Sequence, residues 1–325
     1  MEKKAQGGTG ITSSPPGLVF LGTPGFAVPC LLKLLESEFA VRLVITQPDR
    51  PSGRGRKICE SPVKTLAMKA GIPIYQPERV RGVEVIEKVR SYGAQFAVVV
   101  AFGQILPQSF LDIFALGTLN IHGSLLPKYR GAAPIQRAIL AGESETGVSI
   151  MLLDAGMDTG PVLSQKAVAV SPVDTFGDVL QNLAQEGAGL LVDTIADWTA
   201  GRLTARTQQE SLVTYAPPIK KEELRIDWNC PAKDIINKVR AFDPAPGAWF
   251  MLGGKRVKCF GAVPFPWTAA GAPGEVVGLA HSGLIVSGGC WQSLCVGELQ
   301  MEGQRRMRAC EFVCGRSIPV GSFLE

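Results

Sequence analysis

The sequence predicts an α/β protein: a doubly wound, mostly parallel sheet followed by a smaller β-barrel. Three observations carry this. From residue 18 onward, short apolar runs without polar alternation take turns with helical stretches, the signature of strands buried on both faces. After Gly201 the pattern breaks into a polar stretch ending in Pro-Pro, and then into short strands separated by Gly and Pro. A length of 325 residues also exceeds what one hydrophobic core usually serves.

Each element follows from local pattern. "LVFLGTPGF" is an apolar run closed by a Gly-Thr-Pro-Gly turn, with a helical stretch through Leu31-Leu32 and Leu34-Leu35 behind it. "VRLVITQ" (41–47) is a second strand. In "SPVKTLAMKA" (61–70), Ser61 suits an N-cap and Pro62 the first helical position. Short β-rich runs follow at 72–76, 95–101 and 118–122, with helices at 83–92, 107–113 and 133–140. "TGVSIMLLD" (146–154) and "PVLSQKAVAV" (161–170) are strands, and a long helix runs from about Thr175 to Trp198. Residues 202–218 read as a linker. Beyond it come one helix (231–242) and the strand candidates "GAWFML", "KRVKCFGAV", "GEVVGL", "GLIVS" and "WQSLCVGELQ". The expected organisation is a flexible leader (1–17), a first domain (18–201), the linker (202–218) and a C-terminal domain (219–325).

Composition narrows the function classes. With 46% hydrophobic and 19% charged residues the chain is globular, not disordered or fibrous. No apolar run reaches the roughly 18 residues of a membrane span, and the leader lacks an apolar signal core, so a cytoplasmic location is expected. The net charge of +4 permits a nucleic-acid partner without arguing for one. The eight cysteines lack paired ligand spacing, so buried reduced thiols and no metal are expected.

The chemistry centres on "TLNIH". Strand alternation puts Asn120 and His122 on one side, at the carboxyl end of a strand, where a doubly wound fold places its ligands. An amide donor beside an imidazole suits an oxyanion developing on a carbonyl. "LLDAGMDTGPVL" adds Asp154 and Asp158 in a loop; a carboxylate beside His122 favours the charged ring, and Asp158 suits proton uptake from an attacking amine. Spacing alone leaves another reading open, a satisfied core histidine beside a turn asparagine.

"NIHGSLLPKYRG" followed by "DAGMDTG" resembles the formyltransferase family that uses 10-formyltetrahydrofolate. The resemblance implies a Rossmann-like catalytic domain with Asn120, His122 and Asp158 as catalytic residues. It also implies a folate pocket to which Ser124, Leu125, Leu126 and Pro127 contribute, together with Phe102, Gly103, Gln104, Ile105 and Leu106. A backbone-rich apolar turn suits a flat pterin.

The basic stretch "TQPDRPSGRGRK" (46–57) selects among such enzymes. Its prolines, glycines and cations describe a mobile loop fit for phosphate contact, or else a solvated surface loop. It is similar to the inserted loop of the methionyl-tRNA formyltransferase family, as are "FLGTPGFAVPCL", "GAAPIQRAI", "TYAPPIKKEELRIDW" and "VRAFDPAPGAWF". That likeness implies Arg50, Arg54, Arg56 and Lys57 as contacts to the acceptor arm of methionyl initiator tRNA, with Arg54 foremost. It implies an OB-like C-terminal barrel holding tRNA, and a monomer is expected. Lys255/Arg256/Lys258 and Arg305/Arg306/Arg308 are candidate backbone contacts there, or else solubility charge. Trp228, Trp249 and Trp267 read as core or interface anchors. Gly25 departs from the family, which usually carries an acid after Gly-Thr-Pro, and the leader has no counterpart. The competing functions are a formyltransferase for a small amine, and a tRNA-binding protein with a dead site.

Overall fold

The structure, a computed structural model, describes residues 16–52, 57–266, 271–314 and 318–325. Its contacts divide the chain into two compact units, one running to Leu119 with Ile195–Arg202, the other Asn120–Thr194 with Leu203–Glu325.

The first unit contains β1 (Gly17–Gly22), α1 (Val28–Leu35), β2 (Ala40–Ile45), β3 (Arg50–Ser52), β4 (Lys57–Cys59), α2 (Pro62–Lys69), β5 (Ile74–Tyr75), α3 (Val83–Ser91), β6 (Phe96–Val100) and α4 (Gln108–Leu111). Strand β7 (Thr118–His122) begins in it and ends in the second. The strand order is β5-β2-β1-β6-β7, with β1 parallel to both β2 and β6. Every residue of β1 and β6 is buried, which is why neither run alternates. The chain builds outward from β1 to β5, then returns to β6 on the opposite side. That reversal opens the ligand crevice of such sheets beyond Gly22 and Val100. Ser61 caps α2 as expected, its hydroxyl accepting from Lys64 N at 3.1 Å.

The basic stretch is more ordered at its base than a mobile loop. β3 and β4 form an antiparallel hairpin pairing Arg50 with Cys59 and Ser52 with Lys57. Asp49 anchors it through Lys64 and through Gln76 Nε2 at 2.8 Å, and these hydrogen bonds hold its carboxyl below the usual range.

The second unit continues with α5 (Pro134–Ala141), β8 (Glu145–Leu152), β9 (Val162–Ala169) and α6 (Phe176–Thr199, whose last turn lies in the first unit). Here the order is β7-β8-β9, and β8 and β9 are antiparallel, so the sheet is mixed. Then come α7 (Ala232–Ala241), β10 (Ala248–Leu252), β11 (Lys255–Phe265), β12 (Val276–Ala280), β13 (Gly283–Ser287), β14 (Ser293–Met301), β15 (Met307–Arg308) and α8 (Ala309–Cys314). The order β10-β11-β14-β13-β12 is antiparallel throughout, with β15 on β14. β10 and β12 are joined through the C-terminal segment, where Glu325 exchanges backbone bonds with Met251 of β10, and Gly321 and Ser322 bond to Val276 of β12, so the strands close into the expected barrel.

Residues 202–218 are not a free tether. Arg206 bridges to Val162 at the start of β9, and Arg130 exchanges backbone bonds with Thr214 and Ala216. The thiols are also not uniformly buried: Cys30, Cys259 and Cys295 are, whereas Cys59, Cys290 and Cys314 are exposed. No helix of the described residues is long and apolar enough to cross a membrane.

Candidate active site

Alternation along β7 leaves Asn120 half-buried and His122 buried at 6% exposure. Asp158 comes from the β8–β9 loop. Its carboxyl Oδ2 lies 3.5 Å from His122 Nδ1 and accepts the backbone N–H of Gly131 at 2.8 Å. The other ring nitrogen, Nε2, donates to the Tyr129 carbonyl at 3.0 Å. Both ring nitrogens thus face oxygen atoms. The Asn120 amide has no hydrogen-bond partner among the described residues, which leaves its N–H groups free for a ligand.

Local geometry explains this convergence. Tyr129 and Asp158 take left-handed backbone conformations (φ of 60° and 55°) that non-glycine residues adopt at a cost of about 1–3 kcal/mol, typically at functional sites. Gly131 has a φ of 125°, and a Cβ there would stand 2.7 Å from the Ala216 carbonyl oxygen. In the β8–β9 loop, Asp154 Oδ1 accepts from Gly156 N and Thr159 Oγ1. Of the two acids in this loop, Asp154 therefore shapes the turn and Asp158 faces the histidine.

The turn after β7 is internally bonded. Ser124 is fully buried and its hydroxyl donates to Lys128 O; Ser149 Oγ donates to Ser124 O and accepts from Leu126 N. Leu126 packs on Met151 and Val162, and its carbonyl accepts from Gln165 Nε2. What remains to a ligand is the partly exposed Leu125 and Pro127. In the first unit, Phe102 and Leu106 are core residues, while Gly103, Gln104 and Ile105 reach solvent, Ile105 at 80% exposure. Gln104 is held by Val80 N and by the Gln47 side chain, whose Nε2 in turn donates to Phe102 O.

Of the four expected phosphate contacts, Arg50 is exposed on β3 and Lys57 lies on β4. Arg54 and Arg56 lie outside the described residues, as does Trp267. The C-terminal clusters divide. Arg306 is bound to Asp243 and Glu298 and stacks 4.0 Å from the Phe260 ring, so it is an internal tie and not a free surface cation. Arg256 is exposed and covers the half-buried Trp249 ring at 4.3 Å. Trp228 is a core residue against Phe250. No Cβ at Gly25 would meet a neighbour, so the departure there creates no clash.

Sequence reading missed three contributors. Arg130 is 2% exposed and bound to Gln208 and Glu210. Gln208 sits in the segment expected as a linker, and Tyr129 contributes a backbone carbonyl. The flanking left-handed positions carry no composition signal that would have revealed them. Among the described residues no cluster of three or more His, Cys, Asp or Glu side chains is placed to hold a metal.

Comparison with known proteins identifies the family of the chain. Residues 18–195 match the formyl transferase family and residues 218–317 match the formyl transferase C-terminal domain. A methionyl-tRNA formyltransferase from Geobacter sulfurreducens is 43% identical over 308 residues, covering 94% of this chain and 96% of the relative. One from Chromobacterium violaceum is 45% identical, covering 94% and 99%. The structure of HypX from Aquifex aeolicus in complex with tetrahydrofolic acid shares the fold, with a TM-score of 0.64 at 16% identity; it covers 96% of this chain, which spans 51% of HypX. The chain belongs to the formyl transferase family, and its high-identity relatives are methionyl-tRNA formyltransferases.

Proposed function

We propose that this protein transfers the formyl group of 10-formyltetrahydrofolate to the amino group of methionyl initiator tRNA, producing N-formylmethionyl-tRNA for translation initiation in the cytoplasm. It acts as a monomer without a metal. The observation that carries the reading is the His122–Asp158 pair beside an unpartnered Asn120 amide, in a chain alike over nearly its whole length to methionyl-tRNA formyltransferases.

The amine lone pair attacks the formyl carbon, and charge builds on the formyl oxygen. Asn120 donates an N–H to that oxygen. His122 turns its Nε2–H from the Tyr129 carbonyl toward it, while Asp158 keeps the ring charged and oriented. Asp158 takes the proton lost by the amine through water. Collapse breaks the bond from the formyl carbon to N10, which takes back through the water the proton held by Asp158 and leaves as tetrahydrofolate. Leu125 and Pro127 of the turn after β7 and, in the first unit, Gly103, Gln104 and Ile105 are the accessible residues among those the family resemblance assigns to the donor. Arg50, Arg54, Arg56 and Lys57 draw the acceptor arm by its phosphates.

The test is transfer of radiolabelled formyl offered in parallel to methionyl-tRNA, free methionine and a nucleotide-linked amino sugar. Label should appear on methionyl-tRNA. Label confined to the amino sugar would overturn the assignment.

A further inference from the structure

Gln208 is 7% exposed, and all its polar capacity points at the β8–β9 loop and at Arg130. Its Nε2 donates to Asp158 O at 2.8 Å and to Gly160 O at 2.7 Å. Its Oε1 accepts from Arg130 Nε at 3.0 Å. The Arg130 guanidinium is fixed by Glu210, and the Arg130 backbone is bonded to Thr214 and Ala216. The next residue, Gly131, donates its N–H to the Asp158 carboxylate. The bonds therefore close a ring: 130 to 208, 208 to 158, and 158 back to 131. Asp158 enters that ring twice, by its backbone carbonyl through Gln208 and by its side chain through Gly131. A non-glycine residue in a left-handed conformation persists where its surroundings over-determine it, and these two anchors do so.

We infer that Gln208 is a positioning residue for the reaction, holding Asp158 in the one backbone conformation that aims its carboxylate at His122. This rests on the catalytic reading above and goes beyond it, since Gln208 acts through Asp158 and Arg130, to which its side chain is bonded. Arg130 is the brace that fixes which way the Gln208 amide faces: its N–H needs an acceptor, so Oε1 turns to it and Nε2 turns to the loop.

The experiment measures single-turnover formyl transfer for Gln208→Ala and Gln208→Glu, each alone and combined with Asp158→Asn, with thermal unfolding of each variant. Gln208→Glu keeps the acceptor for Arg130 and the side-chain length but has no N–H, so it tests the bonds to the loop even if the alanine variant folds poorly. Either substitution should lower the rate of transfer roughly 10–100-fold, as small misplacements of reacting groups do. The concentrations of donor and methionyl-tRNA at half-maximal rate should stay within about threefold of the parent, which a global loss of structure would not produce. In the Asp158→Asn background, either Gln208 change should cost less than threefold, because its route of action is already removed. An unchanged rate, a rise confined to the half-maximal concentrations, or a full and independent loss in the Asp158→Asn background overturns the inference. If Asp158→Asn alone leaves the rate intact, the catalytic reading itself fails; if Asp158→Asn is impaired and Gln208→Glu is not, only the positioning role fails.

Discussion

Asp158→Asn isolates charge from shape in the candidate site. The carboxylate lies 3.5 Å from His122 Nδ1 and holds Gly131 N at 2.8 Å. An asparagine places its oxygen on Gly131 N, so that bond survives and the fold should lose less than about 1 kcal/mol. Because Oδ2 makes both contacts, that same oxygen still faces Nδ1, so a neutral ring carries its one proton on Nδ1 and has none on Nε2 to donate. Unit charges at this separation interact by about 5 kcal/mol at an effective dielectric constant near 20. The Asp158 side chain is 17% exposed, so solvent screens part of this. About 3–4 kcal/mol of transition-state stabilisation should disappear, a fall in kcat of roughly 10²–10³. Single-turnover transfer of labelled formyl to methionyl-tRNA measures it, and thermal unfolding checks the fold. A folded Asp158→Asn protein with less than a tenfold loss would refute the claim that a charged His122 stabilises the oxyanion.

Other perturbations test the frame around that pair. Gly131→Ala puts a Cβ 2.7 Å from the Ala216 oxygen at a φ of 125°, so it should cost about 1–3 kcal/mol in urea unfolding and lower kcat by shifting the Asp158 anchor. Arg54→Ala should weaken use of methionyl-tRNA by about 1–3 kcal/mol in kcat/KM, with a shallower salt dependence and an unchanged KM for the formyl donor. Glu223 is held at about 2, first by the hydrogen bond from Arg137 and then by the backbone N–H of Lys220. Because that value is depressed, its contribution is complete above the ordinary value of 4.5 and disappears as pH falls toward 2. Its partial exposure reduces the expected effect to about 1–2 kcal/mol. Glu223→Gln should therefore be less stable than the parent at pH 7 and equal to it near pH 2, and a stability gap that persists at pH 2 would contradict this.

Much of the fold was legible because burial on two faces leaves no room for polar alternation. β1 and β6 stand out as unbroken apolar runs, and Ser61-Pro62 announces α2 by cap chemistry. The candidate site was legible from strand period alone up to the placement of Asn120 and His122, since both follow from where β7 ends. Choosing Asp158 over Asp154 took the family resemblance. The structure separates them by showing that Asp154 closes a local turn with Thr159. Relative strand direction was less accessible: β8 and β9 are antiparallel across a loop long enough to read equally well as a crossover.

Arg130 and Gln208 were illegible for a reason that lies in what sequence patterns measure. Composition assigns Arg and Gln to the surface, because burying their polar groups costs several kcal/mol unless every donor finds an acceptor. Here those acceptors come from positions 78 and 80 residues away, so no window of local sequence contains both partners. The same separation hides what residues 202–218 bond to. Polar residues 202–218 look solvated, yet Arg206 pairs with Val162 at the open edge of the sheet and residues 214–216 pair with Arg130, satisfying backbone groups that would otherwise be exposed. A segment that seals a sheet edge is held in a fixed path, and a side chain on a fixed path can brace the β8–β9 loop from far along the sequence. This is why the polar stretch between the two matched family regions reaches the Asp158 backbone through Gln208, and why altering that stretch should register in kcat before it registers in folding.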